Sequence, residues 1–169
     1  MTIEETFRAI CDDPEDDDLR LQFADLEESA DSRHAEYIRY SIGAVHRRRH
    51  DEWSGDGLRW LTEKHFERWA GPLVRFLPLE RNSAGAITGP NGLLYDRGFP
   101  SKIDIHPHVF LEYADLLFRL APLRHVRFRE VYDEDGRANN QRFPLEQILA
   151  MPQLERLDSS WRDAMTGAR

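Results

Sequence analysis

The chain has one cysteine, Cys11, among its 169 residues. A single thiol excludes an intrachain disulfide framework and any zinc site built from several thiolates, as suits a reducing compartment. No apolar run approaches the roughly 20 residues that span a bilayer. The N-terminus, MTIEETFRAICDD, carries acids where a secretory signal would carry positive charge. A cytoplasmic protein with no membrane partner is therefore expected. Basic residues are also scarce: 23 Lys and Arg stand against 31 Asp and Glu, for a formal net charge of −8. Nucleic-acid binding needs a continuous basic surface that neutralises phosphates, so the composition argues against it. The one dense basic run, His46 to His50, closes a predicted helix, where cations complement the dipole. Catalytic signatures are missing too. There is no Gly-x-Ser-x-Gly elbow, no serine spaced with His and Asp as in a triad, and no Gly-Lys-Ser or Gly-Lys-Thr phosphate loop. Nothing in the sequence requires a cofactor.

What is present suffices for a core, with 40% hydrophobic residues against 32% charged. Thr2 and Glu5 form a capping box, and Ile3, Phe7 and Ile10 recur at helical spacing, so a first helix should run to about Cys11. Cys11 falls on its apolar side and reads as a small buried hydrophobe. The acidic run from Asp12 to Asp18 lacks the central Gly and distal Glu of a calcium loop, so solvated acids at the start of the next helix are expected. Leu19, Phe23 and Leu26 give a second helix its apolar stripe; Ala35, Ile38, Ile42 and Val45 do so for a third. The short turn Ser29 to Ser32 makes these two helices neighbours, with Phe23 and Leu26 meeting Ile38 and Ile42. Asp25 and Glu36 form a tempting acid pair at this junction, but satisfying arginine or backbone donors explains them without a cleft or nucleophile. Ser54 to Gly57 reads as a flexible segment. A fourth helix, Leu58 to Ala70, then carries Trp60, Phe66 and Trp69 as anchors and stops at Gly71 and Pro72.

After Pro78 the texture turns to Gly, Asn and Ser, which separates a helical region, 1–78, from a second region, 79–169, on one continuous core. Ile87 to Leu94 reads as a hairpin around Asn91 and Gly92. Internal repetition follows. Ile103 and Ile105 alternate as a strand, Pro107 to Leu120 is a helix with Phe110, Tyr113, Leu117 and Leu120 on one face, and Leu123, Val126 and Phe128 form another strand. Leu145, Ile148 and Leu149 then lie on a helix before Leu154 and Leu157. Aligned on Ile103, Val126 and Leu157, the units are spaced by 23 and 31 residues, which brackets the leucine-rich-repeat range. Stacked strand and helix units of this kind predict parallel strands with the helices covering one sheet face, the N-terminal helices capping one end and Trp161 helping to close the other.

Phe23 to Arg39, FADLEESADSRHAEYIR, resembles the signature of the bacterial repeat-companion domain, which accompanies leucine-rich repeats. The likeness continues through His65, Arg68, Trp69, Gly71, Pro72 and Leu73, and through Arg97, Gly98 and Phe99. The chain departs from the pattern where a tryptophan normally follows the Ala-Asp pair, and in having Ala30 where glycine is usual. The resemblance implies an interaction module and transfers no catalytic residue. The fold class expected is α+β: an N-terminal helical cap followed by a short leucine-rich-repeat-like β/α solenoid with parallel strands.

Among side chains with chemistry, Asp104, His106 and His108 alternate at strand spacing and form the best ligand set for a metal. Pro107, however, should start a helix and take His108 out of that alternation. Arg124, Arg127, Arg129 and Tyr132 lie on or beside the central repeat strand, where they could meet a partner's acidic groups; pairing with Asp104 or Glu155 would explain the arginines equally. The function expected is a non-catalytic scaffold or adaptor that binds a protein or peptide. An accessory subunit of an enzyme system and a nucleic-acid-associated regulator are the alternatives.

Overall fold

The computed structural model describes residues 1–47, 62, 64–76, 79–81, 87–90, 93–128 and 144–157. Helix α1 spans Ile3–Asp12, α2 spans Asp17–Glu27 and α3 spans Ser32–Arg47. Each start is set by a short polar side chain. Thr2 and Glu5 exchange the two bonds of the capping box. Asp16 accepts from the Leu19 N–H at 3.0 Å, and Asp31 accepts from the His34 N–H at 3.2 Å, so both cap a helix N-terminus. The three helices share a core of Ile10, Phe23, Ala24, Ala35, Ile38 and Ile42, closed from outside by Phe99 of the sheet. Phe23 and Ile38 are buried as the helical spacing predicts, but Leu26 is 40% exposed. The inward stripe of α2 runs through Arg20, Phe23 and Ala24 instead, which turns Leu26 away from α3.

Residues 64–69 are helical (α4) and carry Phe66 and Trp69 inward. Gly71, at φ 51°, ends this helix, and the 3-10 turn Gly71–Phe76 plants Leu73 in a second core. Strands follow: β1 Leu79–Arg81, β2 Ile87–Pro90, β3 Leu94–Asp96 and β4 Phe99–Ile105. Helix α5, Pro107–Leu120, leads to β5, His125–Phe128; α6, Leu145–Leu149, and the 3-10 turn Pro152–Arg156 complete the described chain. The second core gathers Ile103, Ile105 and Val126 with Phe110, Leu117 and Phe118 of α5, and adds Ile148, Leu154 and Leu157.

The class is α+β, and one expected pairing is present: β4 and β5 run in parallel, Ile103 opposite Val126, with α5 as the crossover. No parallel-stranded solenoid is shown among the described residues. Among the described residues the larger sheet has three strands in the order β3-β4-β5, with β3 antiparallel to β4. Leu157 follows a 3-10 turn rather than joining a strand, because Pro152 opens that turn and Leu154 and Leu157 are inserted as core plugs. The opposite edge is blocked as well. Arg97 and Gly98, at φ 45° and 94°, make the two-residue turn that folds β3 back onto β4, where a preceding parallel repeat would have to stack. The expected hairpin around Asn91 and Gly92 is also corrected: β2 pairs with β1, Leu79 opposite Pro90, and the β3–β4 hairpin turns six residues later than the sequence pattern implies. Arg48 to His50, Ser54 to Gly57, Trp60, Asn91, Gly92, Arg129, Tyr132 and Trp161 lie outside the described residues.

Candidate functional site

The densest polar cluster surrounds the Arg97–Gly98 turn, where the sheet meets the helices. Gly98 sits so close to α3 that a Cβ there would lie 2.2 Å from Cγ1 of Ile38. Its carbonyl faces Nε2 of His34 at 2.9 Å, while Nδ1 of His34 faces the Glu27 carboxylate at 2.6 Å. Both ring nitrogens thus meet acceptors. Trp69 stacks on His34 at 4.8 Å and on Tyr37 at 5.2 Å, and its indole N–H donates to Asp31 at 3.0 Å. Asp31 also pairs with Arg68. Burial would raise the Asp31 carboxyl, but the hydrogen bonds from Trp69 and the His34 backbone, with the Arg68 charge, hold it below its ordinary 3.8.

Arg20 forms the other half of the cluster. It is fully buried and donates to the carbonyls of Pro14, Asp96 and Arg97 at 2.7 to 3.2 Å, with its guanidinium over the Phe99 ring. Burial, aided by the Arg97 charge, pulls its pKa down to about 10, which leaves it charged at neutral pH. Arg97 binds Asp17 at 2.9 Å, Glu15 at 3.1 Å and Asp96 at 3.0 Å. Burial opposes its charge, yet Asp96 and Glu15 more than offset that and raise its pKa. The acidic run is therefore only partly solvated: Asp16 caps α2, while Glu15 and Asp17 clasp the sheet turn. These groups face protein partners, so their chemistry is cohesion.

Of the residues named as partner contacts, Arg124 and Arg127 lie among the described residues, and both pair within the chain. Arg124 pairs with Glu15 at 2.5 Å and approaches Asp96 at 3.7 Å, which ties it to the same cluster. Arg127 pairs with Asp104 across β4 and β5, the alternative that the sequence left open, and stays 67% exposed. Asp104 itself is 2% exposed, and its Oδ1 makes no hydrogen bond. Pro107 starts α5 as expected, which takes His108 off the strand alternation; His106 precedes the helix and stacks on His108 at 5.4 Å, and burial, with the His108 charge, lowers the His106 pKa. Among the described residues no group of three or more His, Cys, Asp or Glu is placed to hold a metal ion. Asp25, of the acid pair, binds Arg39 at 2.7 Å, and Glu36 is exposed. Cys11 is buried, its thiol directed to the Arg119 carbonyl at 3.8 Å, and burial raises its pKa to about 12.

An open groove of about 570 Å³ runs between α1 and α5, floored by Phe7, Phe23, Trp69, Pro72 and Leu120. Ile3, Glu4, Arg8 and Arg119 also line it. Among the described residues neither the Arg8 nor the Arg119 guanidinium forms a hydrogen bond or salt bridge, in contrast to those of Arg20, Arg39, Arg97, Arg124, Arg127 and Arg156, although the Arg8 charge acts on the Glu5 carboxylate. The charged side chains that line it are Glu4, Arg8 and Arg119, beside an otherwise largely apolar wall. Sequence patterns did not point to it, because five separate elements build it: α1, α2, α4, the 3-10 turn Gly71–Phe76 and α5. Arg20 was legible in principle, as a charged residue in register with Phe23 on an inward helix stripe. No helix among the described residues is long and apolar enough to cross a membrane. Comparison with protein-family models, curated proteins and solved structures finds no match.

Proposed function

We propose that the chain is a non-catalytic module that binds a protein or peptide. The observation that carries this reading is a division of labour among the polar groups. His34, Glu27, Asp31 and the Arg97 cluster, the titratable groups where the sheet meets the helices, are engaged in joining the two. The open groove offers apolar area and two arginines whose guanidinium groups, among the described residues, form no hydrogen bond or salt bridge, as a binding surface requires. The likeness of Phe23 to Arg39 to repeat-companion domains points the same way.

Affinity capture by the immobilised full chain, from a lysate of its native host, tests the reading. Two surface variants locate the site: Ile3→Asp in the groove and Arg127→Glu on the sheet. A discrete partner retained by the unmodified chain and lost from one variant is expected. Turnover of a small molecule by the purified chain would overturn the scaffold class.

A further inference from the structure

Resting on that reading, we propose that the groove between α1 and α5 takes a short acidic peptide segment. A large apolar side chain packs against Phe7, Phe23 and Trp69, and carboxylates lie between Arg8 and Arg119. The volume, about 570 Å³, falls within the range of roughly 300 to 1,000 Å³ typical of ligand clefts. The groove is an open trench rather than an enclosed cavity, which suits a chain segment laid along it. Its floor is apolar, and α1 presents Ile3, 37% exposed, at the rim.

Charge selects the class of peptide. The chain carries 31 acids against 23 Lys and Arg. In such a chain arginines are readily matched, as the pairs of Arg39, Arg97, Arg124 and Arg127 illustrate. Arg8 and Arg119 stand on the two helices that wall the same groove, where Glu4 is the one acidic lining residue and Glu5 lies near enough to feel the Arg8 charge. Both arginines are exposed, and guanidinium forks beside an apolar floor favour carboxylates, which they bind bidentately. The local preference is thus opposite to that of the whole molecule, whose net charge of −8 would draw basic partners. At physiological ionic strength the long-range repulsion is screened beyond about 8 Å, while contact pairs persist.

That opposition makes the test decisive. Random-peptide phage display is run against the immobilised full chain, and the enriched peptides are measured by fluorescence anisotropy. Enriched peptides should combine acidic with large apolar residues. Arg8→Glu with Arg119→Glu, folded by circular dichroism, should weaken them by about tenfold or more. Arg33→Glu, an exposed site outside the groove, should leave them unchanged. Enrichment of basic peptides, or acidic peptides indifferent to the Arg8 and Arg119 reversals, would overturn the groove assignment; if Arg127→Glu released them instead, the binding-module reading would stand on the sheet. No enrichment, or displacement of enriched peptides by decanoate alone at low concentration, would overturn the peptide as occupant. No enrichment together with no captured partner would bring down both.

Discussion

The two cores of this protein are built on different principles. The second, around Ile103, Phe110, Leu117 and Val126, is apolar throughout, and its strands and helix follow from hydrophobic spacing alone. The first surrounds Phe23, Ile38 and Phe99 with a buried arginine, a buried histidine and the ion pairs of Arg97. An apolar core tolerates approximate shape and loses energy in proportion to volume removed. A buried polar cluster depends on every donor meeting its acceptor, so small chemical changes become large. The difference teaches where this fold is specified: general hydrophobicity holds the sheet and its helix, whereas the attachment of the helices to the Arg97–Gly98 turn depends on particular atoms.

Truncation in either core should be severe. Phe110→Ala should cost about 3 to 5 kcal/mol in denaturant unfolding, and Arg20→Met a similar amount, because the carbonyls of Pro14, Asp96 and Arg97 lose their donors. Next in size is Gly98→Ala, at about 2 to 4 kcal/mol, since it adds strain at φ 94° to a clash with Ile38. Replacing Ile38 by alanine in the same chain should recover only part of that loss, because the Ile38 Cα also lies 3.1 Å from the added Cβ. Conservative exchanges sharpen the contrast. Ile103→Val in the apolar core should cost only about 0.5 to 1.5 kcal/mol. Arg20→Lys should cost at least about 2 kcal/mol, because an ammonium cannot reproduce the fork that reaches three carbonyls. Equal losses from the two conservative exchanges would erase the distinction between the cores.

The smallest expected effect is on pH dependence, and it belongs to the polar side alone. The Asp31 carboxyl is held below its ordinary value, so its contribution is complete above pH 3.8 and is lost as the pH falls through the lower folded value. Urea midpoints measured across that acidic range should fall less steeply for Asp31→Asn than for the unmodified chain. Parallel curves would remove Asp31 from the account.

The same division explains what could be read from the sequence. Capping boxes, helix stripes, the start of α5 at Pro107 and the parallel pairing of Ile103 with Val126 are local or periodic features, and they are legible. The β3–β4 turn at Arg97 and Gly98 was hidden, because Asn91 and Gly92 offer the stronger two-residue turn signal and only tertiary docking against Ile38 selects the other. The repeat pattern overreached at Leu157, where leucines at strand spacing serve as core plugs after a proline-led 3-10 turn. Arg20 and His34 escaped because burial of a charged or titratable side chain runs against composition rules and becomes sensible only once its acceptors are in place. The groove depends on α1, α2, α4, the 3-10 turn after α4 and α5 meeting in space, a relation that no single stretch of chain encodes.

Native-state hydrogen exchange on the unmodified chain and on Arg20→Lys tests most directly whether the polar cluster joins two otherwise separate cores. In the unmodified chain the slowest amides of α2, α3 and α5 should share one opening free energy. In Arg20→Lys the amides of α2 and α3 should exchange through a lower-energy opening of their own, while those of β4, α5 and β5 keep their protection. Equal loss of protection in both regions, or none in either, would contradict the account.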